Sequence, residues 1–168
     1  RGDIPEADPV LTGRLAGVIT TCRACRHGLS LLLMEMADQV GRGRGRGTQS
    51  GTDTVQDLVD GLKRACGTNY PPNGVVVRLG ARRLAMILPE CERQAAVEVA
   101  HHLARQATRR NQVDASQRGT STNLHIGVAY VAVPSKNFRA RDLIESAQRC
   151  LFAARTSSGS AAKSIEVY

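Results

Sequence analysis

The chain has 168 residues, 42% of them hydrophobic and 23% charged, a length and balance that suit one domain with a buried core. No apolar run approaches the roughly 18 residues of a membrane helix. The opening residues include Arg1, Asp3, Glu6 and Asp8, which excludes a signal peptide at this point, so no membrane contact is expected. The formal net charge of +8 raises nucleic acid as a partner, yet the arginines are spread over every predicted helix and only 3% of residues are aromatic. Too few rings are present to stack bases, and nucleic acid is not expected to bind. Five cysteines form an odd count at low density, which fits a reducing cytoplasm better than a disulfide-stapled secreted fold.

Leu11, Leu15, Val18, Ile19, Cys22 and Cys25 recur at helical spacing and predict an amphipathic first helix. Cys22 and Cys25 make a Cys-x-x-Cys, but both continue the apolar stripe and no second Cys or His pair stands at ligand spacing. Both are expected in the core. A strand from Leu29 to Met34 follows Gly28. Glycine and arginine then alternate from Gly41 to Gly47, where backbone freedom and repelling guanidinium groups predict a flexible loop over residues 41–51. Thr52 caps a second helix whose core face is Val55, Leu58, Val59, Leu62, Ala65 and Cys66, closed by Gly67.

Pro71-Pro72-Asn73-Gly74 turns the chain into a hairpin in which Val75 to Leu79 and Leu84 to Leu88 flank a short turn, with Pro89 as the stop. A third helix is expected from about Glu92 to Arg110, with Ala96, Val99, Ala100, Leu103 and Ala107 inward. His101 and His102 sit beside that stripe without an acidic or cysteine neighbour and read as surface residues. Asn123 to Val133 read as a long strand. The last helix buries Ala140, Leu143, Ile144, Ala147, Cys150, Leu151 and Ala154, and Ser164 to Val167 add an edge strand. The order αβαββαβαβ predicts an α/β (α+β) domain, a mostly antiparallel central sheet flanked by helices.

Five stretches carry a resemblance. Asp8-Pro9 with Leu11-Thr12-Gly13 is similar to an opening Asp-x-Leu-Thr-Gly, and Leu29 through Glu35 to a first strand that ends in a metal-binding Asp. Gly80-Ala81-Arg82-Arg83-Leu84 stands where a hairpin carries Gly-Gly-Asp-Glu-Phe. His125-Ile126-Gly127-Val128-Ala129 resembles a late Ser-Ile-Gly-Val-Ala strand, and Leu151-Phe152-Ala153-Ala154-Arg155 a closing Tyr-x-Ala-Lys helix. In this order, over nearly the whole chain, they resemble the GGDEF family, the diguanylate cyclases that join two GTP molecules into cyclic di-GMP. The resemblance implies a ferredoxin-like palm fold. With its first motif so near residue 1, it also implies a single domain over residues 1–168 cut from a longer protein with an upstream sensor or receiver domain.

The same resemblance implies where the chemistry has been lost. The family's metal ligands come from the end of the first strand, here Glu35, and from the acidic hairpin, here Arg82 and Arg83. Arginine offers magnesium no lone pair and stays protonated. The base-reading positions fall at about Gly43 and Thr52. Of two phosphate contacts, Arg155 keeps the first charge, while Ser158, Gly159 and Ser160 leave the second unfilled. Pro71-Pro72-Asn73-Gly74 replaces the Arg-x-x-Asp of the family's product-inhibition site. The expectation is therefore a GGDEF-type domain with no catalytic residue and no cofactor, neither Mg nor GTP, acting by dimerisation or by docking to a protein partner. Two alternatives stay open: a divergent active cyclase, which needs a replacement carboxylate that Glu90 lies too far along to supply, and a metal-independent binder of nucleotides or anions through Arg82, Arg83 and Arg155. Glu35 is expected within ion-pair reach of Arg82 or Arg83.

Overall fold

The structure, a computed structural model, describes residues 8–39, 60, 74–80, 82–118, 121–157 and 161–168. The Gly41–Gly47 tract, the helix expected after Thr52, and Gly43, Ala81, Ser158, Gly159 and Ser160 lie outside the described residues.

Helix α1 spans Pro9–Cys25. Asp8 starts it by accepting from the backbone N–H groups of Val10 and Leu11 at 2.9 and 3.2 Å, and Pro9 fits the first turn because it has no N–H to satisfy. Arg26 ends it with φ 59°, a left-handed cap that glycine would adopt with less strain. Strand β1 covers Leu29–Gln39, β2 Val75–Arg78, β3 Arg83–Pro89, β4 Ser121–Val131 and β5 Ala161–Val167. Helix α2 covers Arg93–Arg118 and α3 Ala140–Arg155.

The strands form one sheet in the order β2-β3-β1-β4-β5, antiparallel throughout except for the parallel β4–β5 pair at the edge. Alternation along β1 sorts the core into two layers. Leu32, Met34 and Met36 face α2 and its buried Ala96, Ala100, Leu103 and Ala107. Leu29, Leu31 and Leu33 face the other way, onto Leu11, Leu15 and Ile19 of α1 and Leu143, Ile144, Ala147 and Leu151 of α3. All seven residues expected to face inward from the last helix are buried. The parity of β1 puts Glu35 on the α1/α3 face.

One glycine sets how closely α3 rides on the sheet. A Cβ at Gly127 would sit 2.2 Å from the carbonyl oxygen of Ala147 and 2.4 Å from the amide nitrogen of Leu151. No other residue type permits this approach of helix backbone to strand.

Several boundaries and the burial of one cysteine differ from the sequence reading: β4 runs Ser121–Val131, not Asn123 to Val133, and β5 begins at Ala161, not Ser164. β1 does not stop at Met34 but continues to Gln39 because β4 pairs with it over its whole length, from Leu29↔Val131 to Gln39↔Ser121. α2 runs on to Arg118, past the apolar stripe that announced it. Cys22 is buried as expected, but Cys25, the last residue of α1, is exposed.

Candidate functional site

Glu35 lies within β1, with Arg83 of β3 directly opposite on one side and His125 of β4 on the other. Residues opposite one another in adjacent strands project to the same face, so the three side chains share the α1/α3 side of the sheet. Arg155, in the last turn of α3, is delivered to the same place by the close seating of that helix.

The Glu35 carboxylate is the hub. Its Oε2 accepts a hydrogen bond from Nη2 of Arg155 and lies 3.7 Å from Nε of Arg83. The three side chains are only 20–28% exposed, so the pairs are shielded from solvent more than ordinary surface ion pairs are. The expected Arg83 partner is present. The sequence reading did not foresee that Arg155, 120 residues further along the chain, would be the shorter contact.

Two nitrogen atoms of the side chains around this carboxylate have no hydrogen-bond partner among the described residues. His125 is 6% exposed and its Nδ1 is buried without a hydrogen bond, as is Nε of Arg155. A buried polar atom left unmatched costs roughly 1–3 kcal/mol, so each marks a place where this end of the sheet is not optimised for stability. His125 was read from sequence only as part of a strand. Its register opposite Glu35, which no local pattern reveals, is what makes it a site residue.

The remaining hairpin residues are placed as follows. Gly80 is exposed, and Arg82 is half-buried, its carbonyl accepting from the Met36 amide at 2.9 Å. Leu84 turns to the opposite face and packs in the α2 layer. Glu90 sits beyond the far end of β3 with φ 57° and lies 3.8 Å from His27, well away from Glu35. A cavity of about 480 Å³ lies at that far end, lined in part by Gly17, Cys22, Cys25, His27 and Glu90. Burial raises the Cys22 thiol pKa, partly offset by a hydrogen bond from the Glu90 backbone. Among the described residues, no three His, Cys, Asp or Glu side chains are arranged to hold a metal ion, there or at Glu35.

The family model for the diguanylate cyclase GGDEF domain matches residues 11–160. The chain belongs to the GGDEF family. No curated protein matches it significantly in sequence, but solved GGDEF domains match its fold. The active GGEEF domain of a diguanylate cyclase from Vibrio cholerae is 12% identical with a TM-score of 0.65, over 95% of this chain and 96% of that one. The GGDEF domain of YfiN (TpbB) from Pseudomonas aeruginosa is 18% identical with a TM-score of 0.62, over 99% and 100%. The diguanylate cyclase SiaD from Pseudomonas aeruginosa, solved with its activator SiaC, is 16% identical with a TM-score of 0.59, over 94% of this GGDEF domain and 57% of SiaD. The expected mixed α/β fold, with its five-stranded sheet and flanking helices, is that of GGDEF domains. No helix of the described residues is long and apolar enough to cross a membrane.

Proposed function

We propose that this GGDEF domain makes no cyclic di-GMP and serves cyclic di-GMP signalling in the cytoplasm as an interaction module, recognised through its preserved surface by a protein partner or a second copy. The observation that carries the reading is the Glu35 carboxylate, held by Arg83 and Arg155. Magnesium binds hard oxygen ligands, and a catalytic ion needs several of them with charge to spare. Here one carboxylate faces two permanent cations, so the local charge is already positive and further positive charge is repelled. These residues do not fit a divalent ion, and no step of phosphoryl transfer is assigned to them. SiaD, a GGDEF protein, forms a complex with a protein activator, which supports a docking role for the same kind of fold.

A second reading has its own observation. The unpartnered Nε of Arg155 and Nδ1 of His125 would suit a phosphate oxygen that displaces Glu35 from the two arginines, without any metal. Calorimetric titration separates the readings. With GTP alone, GTP with magnesium, and cyclic di-GMP, the interaction module gives no binding heat in any of the three. Heat with GTP that is indifferent to magnesium supports the second reading. Heat that appears only with magnesium contradicts both.

A further inference from the structure

At the other end of α3 lies a cavity of about 370 Å³ between the C-terminal half of α1 and the segment joining β4 to α3. Arg23 of α1, with Lys136 and Arg139 of the connecting segment, lines it alongside Thr20, Asn137 and Phe138, and no Asp or Glu does. Arg23 is held in place: its Nη2 donates to the carbonyl of Phe138 at 3.2 Å, while its buried Nε has no partner among the described residues. Among the described residues none of the three cations is ion-paired. The nearest carboxylate in sequence, Asp142, accepts from the backbone N–H of Arg139 at 3.2 Å instead.

We propose that this cavity is a binding site for a phosphate-class oxyanion, separate from the Glu35 cluster. Three guanidinium or ammonium groups around one concave space, with no acid to neutralise them, repel one another, and a multiply charged anion relieves that repulsion. Arg23 supplies the directional part. Its Nη2 is fixed on the Phe138 carbonyl, which holds the guanidinium at the cavity wall and reduces the ordering cost of binding. Lys136 and Arg139 are exposed and close over the anion from the solvent side. The amide of Asn137 adds a neutral donor, whereas the Thr20 hydroxyl already donates to Ala16 at 3.0 Å. Free phosphate and the phosphate of a monoester offer the same oxygens, and both enter from the open side.

The test is calorimetric titration of the full chain with inorganic phosphate and, separately, with adenosine 5′-monophosphate, at low and at high salt. Saturable binding that weakens as salt rises is expected. Tighter binding of the nucleotide identifies a monoester as the ligand, and equal binding identifies free phosphate. Arg23→Gln should weaken binding about tenfold and Lys136→Ala about fivefold. Lys136 has no hydrogen-bond or ion-pair partner among the described residues, so its removal leaves folding intact if Arg23→Gln does not. Absence of saturable binding overturns the proposal. So does binding that survives Lys136→Ala unchanged and disappears in Arg155→Gln, because that ligand would belong to the Glu35 cluster.

Discussion

The two ends of α3 present the same kind of charge in opposite states. At its C-terminal end Arg155 and Arg83 meet a carboxylate, and the cluster is closed on itself. At its N-terminal end Arg23, Lys136 and Arg139 meet none, and the cavity between them stays open. One glutamate separates the two cases. A basic site is therefore recognised by the acid it lacks as much as by the cations it has, and the end that resembles a family active site is the one whose cations are paired with a carboxylate.

The comparison depends on α3 being pressed against the sheet. Gly127→Ala breaks it most severely. The new Cβ meets the helix backbone at Ala147 and Leu151, atoms that cannot rotate away, and a loss of about 3 kcal/mol is expected, read as urea unfolding midpoint. An unchanged midpoint would mean that α3 sits higher on β4 than described.

Glu35→Gln is next. It leaves Arg83 and Arg155 half-buried with no carboxylate between them, and should cost roughly 1–3 kcal/mol, less than a fully buried broken pair because all three groups keep some solvent contact. Arg155→Gln should cost less than Glu35→Gln, since Arg83 still covers the carboxylate. If Arg155→Gln were the more damaging, the helix end, not the carboxylate, would be the hub.

The smallest effect contrasts a charge held by partners with a group kept neutral by burial. Desolvation pushes the Cys91 thiol up from 9.0 to about 11, with Glu92 adding to the rise. Below pH 9 the thiol is protonated in both folded and unfolded chains and makes no difference. Between pH 9 and 11 the unfolded chain ionises while the folded one does not, so stability falls by roughly 1 kcal/mol at pH 10. Cys91→Ala, compared with the wild type as a slope of stability against pH, should remove that portion of the loss. Identical slopes would place the thiol in contact with solvent.

The inward face of the last helix was readable in the residues because apolar side chains at a 3.6 period have few other places to go. The Glu35–Arg83 pair was readable too, since a hairpin strand beside the first strand leaves a long arginine within reach of that carboxylate. Arg155 was not assigned to Glu35, because nothing local links residues 120 positions apart; the link is made by Gly127, which seats the helix. The end of β1 was missed for a related reason. Ala37, Asp38 and Gln39 carry no apolar alternation, and they are strand because β4 pairs with them. The cavity at Arg23 left no trace in the sequence, where its cations are only three among 23 lysines and arginines.

The central claim is that the Glu35 carboxylate is committed to arginine and the domain does not convert GTP. It is tested most directly by incubating the purified chain with GTP and magnesium or manganese and following cyclic di-GMP by chromatography. The account predicts none from the wild type, and none from the Arg82→Asp, Arg83→Glu variant, in which Arg155 still holds Glu35. Cyclic di-GMP formed by the wild type would contradict it.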